Sequence, residues 1–249
     1  MKAHGYTGQV VSLDQRGLVP ITRETVNDKV YAELRRSLIH GVFATGETLR
    51  IADLAEKFQT STMPVRDALS RLVSENALEA LPNRSVRVPV ITRERLEDLS
   101  RARLMIEGQV TLLAMEHLQD EDFRMLRELT ESCERSFTTR NPENIRNAIE
   151  LNHAFHNHIY RAAGSRVMIP VIESLWLQSG PYVQKSAFLH NEQQDPAGTH
   201  HHWELIGALE RRDGAAAVTA LKNDISRAFN LIRAQLDLDE READVAHDG

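Results

Sequence analysis

A mainly α-helical chain in two parts is what this sequence predicts: an N-terminal winged helix-turn-helix with a small β-hairpin wing, then a C-terminal antiparallel all-α helical bundle. Three observations carry the prediction. Apolar residues recur at helical spacing from Val26 to Leu72, alternation with a charged residue follows at Val86, Arg87 and Val88, and helical periodicity alone fills the chain after Val90. With 249 residues there is room for two modest domains.

Composition bounds the function classes. One cysteine, Cys133, excludes an internal disulfide and favours a cytoplasmic protein. No apolar run approaches the roughly 18 residues of a membrane span, so no membrane partner is expected. The formal net charge is −6, but it is unevenly placed: residues 1–90 hold 12 Lys+Arg against 10 Asp+Glu, and the remainder holds 18 against 26. The first part is weakly basic, so a nucleic-acid contact would need two copies on one duplex.

Residues 1–20 mix Gly, Ser, Thr and Gln with little periodicity and read as a flexible arm. From Thr22 to His40, Val26, Val30, Leu34, Leu38 and Ile39 form one apolar face, and Gly41 ends the helix. Arg35 and Arg36 lie on its exposed side, able to touch phosphates or merely to face water. Leu49, Ile51, Leu54 and Phe58 make a second short helix, and Val65, Leu69 and Leu72 a third. Ser61 and Thr62 are N-cap types and Pro64 suits a first turn. This third helix then offers Ser61, Thr62, Met63 and Arg66 at its exposed N-terminal end, where hydroxyls, amides and a guanidinium can meet phosphates or base edges. Residues 82–85 are turn chemistry, giving a wing with Arg84, Ser85 and Arg87.

The stretches Val30–Gly41, Gly46–Leu49, Leu54–Phe58 and Met63–Leu72, in that order, resemble the winged-helix domain of GntR-family transcriptional regulators. The resemblance implies double-stranded operator DNA as partner. It also marks two departures: Thr62 stands where arginine is frequent, and Ser85 where the wing tip is usually glycine.

Beyond a short linker at Pro89–Thr92, helices are expected at 93–118, 121–139, 142–163, 166–184, 192–211 and 214–236. Asn141-Pro142, Gly164, Gly180-Pro181, residues 196–198 and Asp213-Gly214 are the expected breaks. The domain limits are thus 21–90 and 91–240, with a flexible tail at 241–249. Asn152 and His156, at i and i+4, project from one face bordered by Ile149, Phe155 and Ile159. His202 heads an apolar stripe on a later helix, and Asp224 lies beside Leu221 and Ile225 on the last. Bundle interiors build metal sites from such side chains, and a hydrogen-bonded polar core cluster fits the same pattern. His153, His158, His200 and His201 fall off that face and read as surface.

Arg103–Glu107, Leu151–Ile159 and His202–Ala217 make the bundle similar to the effector-binding domain of the FadR branch of that family, and in particular its FCD subgroup. In that subgroup the four matching positions usually hold one Asp and three His around a divalent metal. Here they are Asn152, His156, His202 and Asp224, so one carboxylate has moved from the first position to the fourth. Nitrogen and carboxylate ligands suit zinc, with nickel or manganese less distinctive. Arg103 matches the subgroup's arginine and would hold an organic acid's carboxylate; a salt bridge to Glu107 is its other role. Trp176, Gln178 and Tyr182 are candidates for lining the same pocket, or plain core.

The expected function is a homodimeric transcription regulator, a repressor by the family's commoner arrangement, controlled by a small organic acid. A metal-dependent hydrolase, a metal-only sensing repressor and a ligand-free dimeric DNA-binding protein are the rivals.

Overall fold

The computed structural model describes residues 25–82, 85–138, 141–190 and 198–247. Helix α1 spans Val26–Ile39 and opens with a capping box, in which the Thr25 hydroxyl accepts from the Asp28 amide while the Asp28 carboxylate accepts from the Thr25 amide. Gly41 follows at φ +62°, the left-handed turn that suits glycine after a helix. Helices α2 (Ile51–Lys57) and α3 (Thr62–Ser74) complete the helix-turn-helix over a core of Leu34, Leu38, Val65, Leu69 and Leu72. Strands β1 (Thr48–Leu49), β2 (Glu79–Ala80) and β3 (Val86–Arg87) form an antiparallel sheet in the order β1-β3-β2, with Leu49 opposite Val86 and Glu79 opposite Arg87. The hairpin was expected; β1 was not, because two residues carry no periodicity.

Six helices follow: α4 (Arg93–Met115), α5 (Asp120–Thr138), α6 (Pro142–Ala162), α7 (Met168–Leu189), α8 (His200–Glu210) and α9 (Gly214–His247). Thr92 caps α4 and Asn141 caps α6 with Pro142 at its start, as their sequences imply. No described helix is long and apolar enough to cross a membrane. Helix α9 runs well past residue 236 and through most of the tail placed at 241–249.

The expected break at Gly180-Pro181 is overturned. Both residues lie inside α7, although Pro181 deprives the Leu177 carbonyl of its helical donor. Packing overrides the local penalty, because α7 is held by contacts with α1, α4, α6 and α9. Gly180 explains how α1 comes so near: a Cβ there would lie 1.9 Å from the Leu38 carbonyl oxygen. The two domains therefore touch backbone to backbone. We expect Gly180→Ala to destabilise the protein by about 1–3 kcal/mol through this collision. Calorimetric melting checks it, and an unchanged midpoint would overturn this account of the contact.

Polar contacts reinforce the joint. Arg35 donates to Glu173 on α7 at 3.2 Å, and the His40 ring lies 5.3 Å from that of His153 on α6, which in turn lies 5.0 Å from Trp176 on α7. Arg95 at the start of α4 donates to the Asn76 carbonyl at 2.6 Å, holding the linker down. The partly exposed ion pairs contribute little each, so the apolar and backbone contacts decide the fit.

Candidate metal and effector site

Helices α6, α8 and α9 bring the four expected ligands together. The His156 Nε2 lies 3.0 Å from Asp224 Oδ2, and the His202 Nε2 lies 3.1 Å from Asn152 Oδ1 and 3.7 Å from Asp224 Oδ1. One ligand atom from each of His156, His202 and Asp224 falls within 4.8 Å of the others, and all three residues are buried. The i,i+4 spacing of Asn152 and His156 points both inward from α6. Phe155 stacks on the His202 ring with centroids 3.9 Å apart, which fixes that ring's plane.

The electrostatics favour a cation. Burial lowers His202 to about 3, so it is neutral and able to ligate. Burial alone would raise Asp224, but the His202 and His156 contacts outweigh it and hold its carboxyl well below the usual range. Two imidazoles, one carboxylate and an amide oxygen thus converge with a formal charge of −1, a donor set that fits a borderline divalent ion. The Nδ1 of His202 is buried without a hydrogen-bond partner among the described residues.

Arg103 makes the salt bridge to Glu107 and also faces the cavity. Its Nε and Nη2 donate to Glu107 at 2.6 and 3.2 Å, and its guanidinium also lies over the Trp176 ring at 4.3 Å and lines the cavity beside Asn152, His156 and Asp224. Glu107, fully buried, accepts in addition from the Tyr160 hydroxyl at 2.5 Å and the Trp176 indole at 3.3 Å. The Tyr160 oxygen is 3.3 Å from His156 Nδ1. One carboxylate therefore gathers the arginine, the tryptophan and, through Tyr160, His156.

The cavity has a volume of about 40 Å³. That holds about one water molecule or an ion, far below the few hundred Å³ of an ordinary small-molecule site. An organic acid can enter only if the helices part. A larger open groove of about 650 Å³ lies between α1 and α7, but its Arg35 and Arg161 are both committed to Glu173.

Several expected positions are corrected. Trp176 lines the cavity, whereas Gln178 and Tyr182 do not. Along α7 the residues that share the face of Trp176 are those about seven, eleven and fourteen further on, and Val183, Ala187 and the C-cap His190 indeed line the cavity. Tyr182 instead packs on Phe229, with centroids 6.1 Å apart. His153 is not surface: burial lowers it to about 3, and it fills the joint beside His40. His158 pairs with Asp122, and His200 and His201 with Glu204, as off-face residues should. His190 was missed because reading a break at Gly180-Pro181 removed the helical register that reveals it.

At the other end of the molecule, Ser61, Thr62, Met63 and Arg66 are exposed along the start of α3, and the Ser61 side chain makes no capping hydrogen bond. Thus the first α3 amides lack a side-chain cap and can serve an incoming phosphate. Three further DNA-contact expectations fare differently. Arg35 is turned to Glu173, Arg87 is held across the sheet by Glu79 at 2.7 Å, and Ser85 is buried. Arg35 was misplaced because its exposed helical face is covered by the second domain, which a single helix's periodicity cannot disclose. Arg84 lies outside the described residues.

Comparison with known proteins decides the family. The model of bacterial regulatory proteins of the gntR family matches residues 26–88, and the FCD domain model matches residues 98–227, about half the chain by itself. The chain is a GntR-family transcriptional regulator with an FCD domain. The regulator is 32% identical over 199 residues to the HTH-type transcriptional regulator McbR of Escherichia coli (strain K12), covering 78% of this chain and 85% of that one. It is 29% identical over 215 residues to the HTH-type transcriptional repressor GlaR of the same strain, covering 82% and 94%. Among solved structures, E. coli McbR/YncC superposes with a TM-score of 0.77 at 27% identity, over 85% of this chain and 99% of that one. A GntR regulator from Rhodococcus sp. RHA1 shares the fold, with a TM-score of 0.67 at 20% identity over 84% and 97%. GntR regulators bind operator DNA, and their FCD domains receive effectors; the hydrolase alternative falls with this assignment.

Proposed function

We propose that this GntR regulator is a cytoplasmic homodimeric repressor whose grip on its operator is set by a small organic acid bound beside a divalent metal. The observation that carries the reading is the double duty of α7. On one face Trp176 covers Arg103 and the polar cluster; one turn further on, Gly180 receives Leu38 of α1. A ligand larger than the 40 Å³ cavity has to displace this helix to enter, and α1 is seated on the same helix.

Under this reading Asn152, His156, His202 and Asp224 hold the metal, zinc by preference and nickel or manganese less distinctively. When bound, the ion supplies a positive centre for one carboxylate oxygen. Arg103, kept in place by Glu107, faces the same cavity and binds the acid's remaining oxygens. Trp176 shields that pair from water. Entry of the acid moves α7, and with it α1, changing the separation of two recognition helices on a pseudo-palindromic operator. The sign follows relatives such as the transcriptional repressors GlaR and RspR. A dimer is supported by the exposed apolar residues Met105 and Leu113 on α4, which a second copy would cover.

The test pairs elemental analysis with operator binding. His156→Ala combined with His202→Ala should purify without stoichiometric metal and lose any thermal shift on zinc addition, while the wild type gains about 3 kcal/mol at a hundredfold excess over Kd. Metal retained by the double variant would remove the assigned ligands. Operator affinity measured by anisotropy across a panel of organic acids should fall for the effector. Dependence on metal alone would favour the metal-sensing alternative.

A further inference from the structure

Nine residues, about two and a half helical turns, separate Met63 from Leu72 on α3, so the two side chains leave the helix in opposite directions. Leu72 is wholly buried, together with Val65, Ala68 and Leu69, whereas Met63 is 56% exposed. Met63 thus sits on the centre line of the outward face, and it is the one large apolar side chain exposed on this helix among the described residues. Other outward residues of α3 are bound within the domain. Asp67 accepts from the Asn27 side-chain amide at 2.9 Å, Arg71 lies 3.6 Å over the Tyr31 ring and donates to Glu75, and the Ser74 hydroxyl donates to the Arg71 carbonyl. Arg66, about one turn from Met63, is exposed on the same side.

A methionine held in water this way adds little to the fold, since burial is what an apolar side chain contributes. Its chemistry restricts what it can meet on a duplex. The thioether chain is unbranched and polarizable, with no donor and only a weak acceptor, so phosphate oxygens and polar base edges offer it little. In the major groove the four base pairs display one apolar group, the C5-methyl of thymine. Thr62 also carries a methyl, but it lies about 100° around the helix from the centre line.

We propose that Met63 is a specificity-determining residue that reads a thymine in each operator half-site through the thymine methyl, beside the base edge met by Arg66. The proposal rests on the docking of α3 in the major groove, a reading that the GntR match over residues 26–88 supports. It gives the operator a fixed chemical requirement: an apolar group and an acceptor edge for a guanidinium, both within reach of one turn of helix. Withdrawing one buried methyl from such a contact corresponds to about a fourfold loss of affinity.

The experiment uses the full-length protein. Its preferred duplex is selected from a random library, and each thymine is then replaced by deoxyuridine, which keeps every hydrogen-bonding group and removes only the methyl. At one thymine per half-site the replacement should lower wild-type affinity about fourfold, read by anisotropy at fixed salt. Met63→Gln should bind the thymine and deoxyuridine duplexes alike, whereas Met63→Leu, still apolar, and Thr62→Ser should keep the difference. Both positions are exposed, so none of these variants should melt differently from the wild type. Wild-type binding indifferent to every methyl, or a methyl dependence that survives Met63→Gln, overturns the proposal. Dimethyl sulfate footprinting of guanine N7 in the selected duplex separates this from the docking itself. Without any protected guanine, α3 is not in the major groove and the proposal falls with that reading; protected guanines without a methyl effect overturn the role of Met63 alone.

Discussion

Glu107→Ala is expected to cost the protein about 3–5 kcal/mol, because it strands the Arg103 guanidinium, only 3% exposed, in the interior without its carboxylate. Burial alone would lower the arginine's pKa, and the Glu107 charge more than reverses that, which is the same dependence seen from the other partner. The Tyr160 and Trp176 donors lose their acceptor at the same time. For a chain of this length the melting point should drop by about 10 °C or more. Replacing both partners, with Arg103→Met and Glu107→Met, should restore most of the stability, since an apolar pair removes the stranded charge. It should also abolish any response to an organic acid. If Glu107→Ala melts with the wild type, the carboxylate is not the hub described above.

Arg66→Ala carries the second large effect, on DNA rather than on the fold. Among the arginines expected to meet DNA that the structure describes, Arg35 and Arg87 are spent on Glu173 and Glu79. Arg66 is exposed and in no ion pair among the described residues. With Thr62 in the place of a frequent arginine, it is the guanidinium at the N-terminal half of α3 left to read a base edge. Its loss should weaken operator binding by about 1–3 kcal/mol per half-site, roughly 5–150-fold, while binding to scrambled duplex changes far less. Anisotropy titrations on both duplexes at one fixed salt concentration test this. Equal losses on the two would place Arg66 on the phosphate backbone.

How far the sequence disclosed these features depends on the range of the interaction. The helices and the i,i+4 pair Asn152 and His156 rest on local spacing, and the structure keeps them. The meeting of His202 and Asp224 with that pair was foreseen through family resemblance, since no periodicity tells which helices of a bundle face one another. Where neighbours overrule local preference, the reading failed. Gly180-Pro181 looked like a break, His153 looked like surface and Arg35 looked free, and all three lie at the same contact of α1 with α6 and α7. Tyr160 was recoverable, one turn beyond His156, but its significance depends on a carboxylate from α4.

The glycine contact also bears on how this protein can be recombined. The linker is the obvious place to splice a hybrid regulator that joins one DNA-binding domain to another helical domain. Here such a splice would place a foreign first helix against Gly180, and its backbone would have to follow the path of Leu38 to within a few tenths of an ångström. A transplant that carries the last turn of α1 along with the helical domain keeps that fit; one cut at residue 90 loses it.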